Sequence, residues 1–194
     1  LPMIHGADGA KLSKRHGAVS VMQYRDDGYL PHALLNYIVR LGWSHGDQEI
    51  FSIKEMIELF RAEDVNRAAS RFDFDKLAWI NQHYLKTDDP ASLVPHFQWH
   101  LENAGIDVSR GPDPVEVIVA LRDRVKTLKD MAERAKVWYL GIAEWDEAAV
   151  AKHLQGAGDV LKAVRERLEA ISEWTTPNVD TALRATAEAL GVGM

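Results

Sequence analysis

The 194-residue chain contains no cysteine, which excludes disulfide cross-links and thiolate-bound metal centres. It lacks any apolar run long enough to span a bilayer and shows no secretory leader pattern, so no membrane partner is expected. It also lacks an alternating strand series, an internal repeat and a low-complexity tract. A basic surplus is missing too: the formal net charge is −6, which argues against indiscriminate nucleic-acid binding while leaving room for a local basic surface. What is present is 46% apolar and 27% charged residues, the balance of an ordinary soluble globular protein, expected in the cytoplasm. The length accommodates one large domain or two small ones. Leu1 and the closing Gly191-Val192-Gly193-Met194 carry no polar tail, and both ends are expected to lie inside a longer protein.

Helical patterns fill most of the chain. After the turn signal Asp8-Gly9, Ser20 can cap a short helix that stops at Asp27-Gly28. Pro31 suits the first turn of the next helix, with Leu34, Leu35, Ile38, Val39 and Leu41 on one side and Gly42 as a left-handed stop. Ser52 and Glu55 have capping-box spacing and open a helix carrying Ile53, Met56, Ile57 and Phe60. A further helix is expected from about 74 to 85, with Leu77, Ile80 and Tyr84 buried. Thr87-Asp88-Asp89-Pro90 reads as a linker and domain boundary. Beyond it, helices are expected at 91–104, 114–139, 145–154, 159–173 and 177–190. Asp113-Pro114 and Thr176-Pro177 mark two of the starts. The fold class is all-α.

Lys11-Leu12-Ser13-Lys14-Arg15 is a basic segment flanked by Gly9 and Gly17. A flexible ammonium in such a loop can follow charge that builds on a phosphate during attack. A solvated basic turn gives the same five residues, so the segment decides nothing alone. On the expected 114–139 helix, Val117, Leu121, Val125, Leu128, Ala132 and Ala135 make an apolar stripe. Arg122, Lys126, Lys129 and Lys136 flank it, and Arg124 sits at its other edge. These charges suit either a solvated face paired with Asp123, Asp130 and Glu133, or RNA contacts, Arg124 offering a planar donor fork. Trp43, Trp79 and Trp138 are expected to pack rather than stack on bases. His96 and His100, one turn apart, lack a third ligand and are read as surface, so no metal site is assigned.

The basic segment resembles the lysine loop of class I aminoacyl-tRNA synthetases, Lys-Met-Ser-Lys-Ser, departing at Leu12 and Arg15. Gly17 to Val21, Tyr24, Leu35-Asn36-Tyr37, Leu41 to Ser44 and Phe72 to Asn81 continue in the style of bacterial-type glutamyl-tRNA synthetases. The helices over 91–190 set the chain apart from the glutaminyl branch, which ends in β-barrels. The resemblance implies a catalytic-domain remnant at 1–20, a helical stem-contact domain at 21–88 and a truncated helical anticodon-binding bundle at 89–194. It makes Lys14 the catalytic lysine. Lys11, Ser13, Lys14 and Arg15 would bind ATP, and Arg124, Arg122, Lys126 and Lys129 would bind tRNA.

The parent would be a monomeric ligase acting on L-glutamate, ATP with Mg2+, and a glutamate-accepting tRNA. The His-Ile-Gly-His-type signature and amino-acid pocket are missing, so the chain alone is expected to be inactive and to hold no cofactor tightly. The competing expectations are a freestanding helical tRNA-binding module and a structural helical interaction domain.

Overall fold

The computed structural model describes residues 2–13, 20–142 and 144–193. Lys14 and Arg15, and with them the centre of the lysine loop, lie outside the described residues. By its internal contacts the chain forms two compact units, Leu1–Gly141 and Ile142–Met194.

The first unit is helical, as the sequence implies. Its helices are α1 (Val21–Asp26), α2 (Pro31–Arg40), α3 (Ile53–Leu59), α4 (Phe74–Thr87), α5 (Pro90–Asn103), α6 (Pro114–Leu121) and α7 (Leu128–Leu140). A small departure from all-α is a parallel pair, β1 (Ile4–His5) with β2 (Ser70–Arg71), in which Ile4 faces Ser70 and His5 faces Arg71. The Ser70 hydroxyl donates to the Leu41 carbonyl, which ties β2 to the end of α2.

Local chemistry starts most of these helices. Ser20 accepts from the Met22 N–H. Ser52 and Glu55 close the expected capping box, the Ser52 N–H donating to Glu55 Oε2 at 2.8 Å and the Glu55 N–H returning to Ser52 Oγ at 3.2 Å. Asp73 caps α4, Asp89 caps α5 ahead of Pro90, and Asp113 caps α6 ahead of Pro114. Each satisfies backbone donors that the first helical turn cannot.

One continuous apolar core joins α2, α4, α5, α6 and α7, with Leu30, Leu77, Ile80, Leu85, Phe97, Leu101, Ile118 and Met131 completely buried. It runs straight across Asp88. The segment expected to be a linker is a two-residue joint between α4 and α5, held where His32 Nε2 lies 2.8 Å from Asp88 Oδ2. A second cluster gathers Trp43, Phe51 and Met56, and Trp43 wedges between helices as its turn position suggests.

Among the described residues no buried side-chain nitrogen or oxygen lacks a hydrogen-bond partner. Asn36 Oδ1 accepts from the Phe51 N–H at 2.9 Å, and its Nδ2 donates to the Glu49 carbonyl at 2.9 Å. The Tyr84 hydroxyl lies 2.8 Å from both Asn36 Oδ1 and the Phe51 carbonyl. Burial pushes the Tyr84 phenol up to about 12, so it stays protonated as a donor. Glu49 bridges Arg40 at 2.9 Å and Lys76 at 2.8 Å. The Arg40 hydrogen bonds foremost hold its carboxyl below the usual range.

Several expectations change. The helix expected over 114–139 is two helices, broken at 122–127, because Thr127 takes an extended conformation and its hydroxyl caps α7 by accepting from the Asp130 N–H at 3.2 Å. The apolar stripe is nonetheless buried through the break, from Val117 to Ala135. Gly42 does not take the left-handed conformation. Its lack of a side chain matters because a Cβ there would lie 2.7 Å from Pro2 Cγ. Trp79 and Trp138 are roughly half exposed rather than packed away, whereas His100 is buried rather than on the surface.

The second unit holds α8 (Glu147–His153), α9 (Gly158–Glu169) and α10 (Thr176–Leu190), with α9 packed on α10. Thr175, not Thr176, caps α10, and Gly191 closes it with φ +64°.

Candidate functional site

Two regions of the first unit carry the sequence-derived candidates. The described start of the lysine segment, residues 11–13, adjoins a small hairpin. The Gly6 N–H donates to the Ala10 carbonyl at 2.8 Å, and the Leu12 N–H donates to the Ile4 carbonyl at 2.8 Å. Asp8 Oδ1 accepts from the Ala10 N–H at 3.0 Å, and Gly9 turns the chain with φ +77°. The other edge of β1 is fixed to β2, where the Phe72 N–H donates to the His5 carbonyl at 2.8 Å. Lys11 and Ser13 are exposed at the base of the loop. The stem is thus pinned on both edges. Among the described residues no group of three or more His, Asp or Glu side chains is arranged to hold a metal.

The second region is the break between α6 and α7. Residues 122–129 hold four cations, Arg122, Arg124, Lys126 and Lys129, and one carboxylate, Asp123. Arg124, Lys126 and Lys129 are exposed and Arg122 is half-buried. Lys129 Nζ lies 3.6 Å from Asp27 Oδ1, and Asp123 Oδ1 lies 3.9 Å from Lys86 Nζ, both in exposed pairs. Among the described residues no carboxylate lies within ion-pair distance of Arg122, Arg124 or Lys126. The solvated-face alternative relied on such pairs. The Lys136–Glu133 pair follows that alternative, whereas Asp130 pairs with Arg134 and leaves the cations at 122–126 to solvent.

The backbone of this break is clamped from below. Asn81, buried on α4, donates through Nδ2 to the Lys126 carbonyl at 2.6 Å and accepts at Oδ1 from the Leu30 N–H at 2.8 Å. The same Nδ2 lies 3.4 Å from the Gly28 carbonyl. Gln82 Nε2 donates to the Val125 carbonyl at 3.1 Å. Gly28, with φ +89°, approaches so closely that a Cβ would lie 2.4 Å from the Lys129 nitrogen. Its carbonyl accepts from the Leu128 N–H at 2.9 Å.

The sequence marks Gly28 as a helix stop and Asn81 as the end of a resembling stretch, but gives neither of them, nor Gln82, a positioning role. Asn81 had a signal: it falls four residues after Leu77, within the apolar stripe of α4, where a polar side chain must find buried partners. Thr127 followed three residues on by Asp130 was a cap signal for the break.

Beside the clamp, Arg25 lies 4.2 Å from the centre of the Trp99 ring, and His100 lies beneath them. Burial foremost, then nearby Lys129, lowers the His100 imidazole to about 4, leaving it neutral near pH 7.

Two family models fit the chain in order. Residues 1–79 match the catalytic domain of class I tRNA synthetases (E and Q), and residues 92–194 match an anticodon binding domain. The hairpin with its lysine segment falls in the first match and the clamped basic break in the second. Together they define a piece of a class I tRNA synthetase. The chain belongs to the family of E- and Q-type synthetases that carry this anticodon binding domain.

Among individual relatives, it is 62% identical to the glutamate–tRNA ligase of Xylella fastidiosa (strain M23), with all of the chain aligned to 42% of that protein. It is 58% identical to the glutamate–tRNA ligase of Xanthomonas campestris pv. campestris (strain B100), again over 42% of that protein. The chain therefore spans about two fifths of the length of these relatives. Its fold matches a crystal structure of a glutamate tRNA ligase from Elizabethkingia meningosepticum in complex with its amino acid. That match has a TM-score of 0.78 at 30% identity, covering the whole chain and 42% of the other.

Proposed function

We propose that the chain is the tRNA-binding part, with the lysine loop, of a glutamate–tRNA ligase that activates L-glutamate with ATP and transfers it to tRNA. The observation that carries this reading is the ordered pair of family matches, with the exposed basic break lying in the anticodon-binding one. Residues 1–20 end the catalytic region, 21–88 contact the tRNA stem and 89–194 bind the anticodon. The catalytic-domain match continues to residue 79, which suits a stem-contact region built as a continuation of that domain.

In the proposed reaction Lys14 steadies charge on the ATP phosphates as the glutamate carboxylate attacks. A carboxylate oxygen bonds to the α-phosphorus, pyrophosphate leaves, and a terminal ribose hydroxyl of the tRNA then displaces AMP. Lys11, Ser13 and Arg15 shape the loop and its potential. ATP brings Mg2+ with it. Arg124 offers its fork to an anticodon base or phosphate, while Arg122, Lys126 and Lys129 supply phosphate contacts.

The chain alone is proposed to catalyse nothing and to act as a monomer in the cytoplasm. Two measurements test the reading. A transcript of glutamate-accepting tRNA should bind the chain more tightly than an unrelated tRNA. Glutamate-dependent ATP–pyrophosphate exchange should be absent from the chain and present when it is joined to the remainder of a synthetase. Equal binding of both tRNAs would favour a nonspecific module and overturn the assignment.

A further inference from the structure

A slot of about 360 Å³ opens between α1, the start of α2 and α5. Among the described residues five aromatic rings line it, those of Tyr24, Tyr29, His96, Trp99 and His100. Val21 and Met22 are exposed on its rim. Arg25 is the one charged side chain among the described residues of the lining, and its guanidinium lies over Trp99. No carboxylate is among them, although the chain carries a net charge of −6. The volume suits one small ring system and is too short for the helix or strand of a partner. Aromatic faces and a guanidinium plane both stack on planar heteroaromatic rings. His96 is exposed and has no hydrogen-bond partner among the described residues. Its neutral imidazole offers one N–H donor and one acceptor nitrogen to the edge of such a ring.

The surroundings of the slot narrow the ring to that of a nucleotide. An adjoining hollow shares Arg25, Trp99 and His100 with the slot and adds Lys129, one of the cations of the basic break. The two carboxylates there, Asp26 and Glu133, are held by Arg25 and Lys136. A base in the slot would therefore lead its sugar and phosphate toward Lys129. The slot also lies on the seam of the two family matches. Its lining from Val21 to Leu34 belongs to the first and that from Pro95 to Leu128 to the second. Small-ligand sites favour such seams.

We propose that this slot takes one unstacked nucleobase, gripped between α1 and α5, with Arg25 and Trp99 supplying stacking faces and His96 meeting its edge. The base comes from bound tRNA or from a free nucleoside. The tRNA source rests on the ligase reading above, and the free source does not.

The test uses the 194-residue chain and two readouts. The first is the indole N–H resonance of Trp99, assigned by its loss in Trp99→Phe and followed as adenosine or ribose 5-phosphate is added. The second is filter binding of a glutamate-accepting tRNA transcript over a range of salt. Met22→Trp fills the rim from a position already half exposed, and His96→Ala removes the edge contact. Val119→Trp on α6, half exposed and outside the slot, is the control. Adenosine should shift the Trp99 resonance, ribose 5-phosphate should not, and Met22→Trp should abolish the shift. Where the base comes from RNA, Met22→Trp and His96→Ala should lower tRNA affinity about five- to hundredfold. The salt slope should stay the same, since an uncharged ring releases no counterions. An adenosine response alone identifies a free nucleoside, and a loss of tRNA affinity alone identifies an RNA base. The proposal is overturned if adenosine leaves Trp99 unmoved and both slot variants bind tRNA as the parent does. It is overturned equally if ribose 5-phosphate moves Trp99 as far as adenosine, or if Val119→Trp does the damage of Met22→Trp. A chain that takes adenosine but binds no tRNA would sink the ligase reading and leave the slot standing.

Discussion

Replacing Asn81 by leucine keeps the branched heavy-atom outline of the side chain at a completely buried position and removes every hydrogen bond the side chain makes. The Leu30 N–H and the Lys126 carbonyl each lose a close partner. The Gly28 carbonyl does not, because it still accepts from the Leu128 N–H. Two buried groups left unsatisfied cost about 1–3 kcal/mol each. With no cavity to add, Asn81→Leu should destabilise the first unit by about 2–6 kcal/mol.

The effect should be local before it is global. Amide exchange should quicken first at Leu30 and Leu128, and tRNA affinity should fall even though every cation at 122–129 is retained. Urea unfolding gives the total, exchange the location, and filter binding the functional consequence. Asn81→Asp separates the two halves of the clamp, since a carboxylate can still accept from the Leu30 N–H but cannot donate to the Lys126 carbonyl. A leucine variant within about 0.5 kcal/mol of the parent would refute the clamp. So would faster exchange spread evenly over the unit with the 28–30 and 126–128 backbone no worse than the rest.

Gly28→Ala should cost at least about 2–3 kcal/mol in urea unfolding, because it combines a left-handed backbone position with a Cβ forced against the Lys129 nitrogen. Ser52→Ala should cost about 1 kcal/mol by opening the capping box of α3, read from the same curves. The His100 imidazole, lowered to about 4 in the fold, takes up its proton more readily once unfolded, at about 6.5. Its contribution is complete above pH 6.5 and is lost as pH falls from there toward 4, by about 1–3 kcal/mol; His100→Gln should flatten that slope in unfolding measured across this range. For the proposed RNA contacts, Lys129→Ala should lower the salt dependence of tRNA binding by roughly one phosphate contact. Arg124→Ala should cost about 1–3 kcal/mol and relax preference among anticodon bases.

Signals confined to three or four residues were legible in the sequence. Ser52 with Glu55, Ser20 before α1 and Asp113 before Pro114 announce helix starts, because the donor and acceptor they join are neighbours along the chain. The buried stripe from Val117 to Ala135 was equally legible, but not the break within it, since the 3.6-residue spacing continues across a turn that preserves which side faces the core. What holds the turn open lies some 45 residues away, on α4. The same distance effect misplaced His100: its face of α5 packs near Arg25 and Lys129 from α1 and α7, and nothing in its immediate neighbours says so. Trp138 looked like core because it stands beside Tyr139 and Leu140. Tyr139 takes the packing role instead, closing over Gly111 and donating to the Pro112 carbonyl at 3.0 Å.

The clamp gives a physical reason for a basic loop on an acidic chain. A net charge of −6 offers RNA little attraction at distances beyond the Debye length, about 8 Å at physiological salt. Attraction then arises only at close range, where Arg122, Arg124, Lys126 and Lys129 outnumber Asp123. A flexible loop of that composition would follow any phosphate path and discriminate poorly. Fixing its backbone through Asn81, Gln82 and Gly28 makes the position of each donor part of the proposed recognition. Three of the four cations have no intramolecular ion pair among the described residues to break first. Specificity should therefore depend on the buried amide beneath the loop as much as on the arginine above it. Asn81→Leu should narrow the gap between cognate and unrelated tRNA, whereas losing Lys129 should weaken both alike.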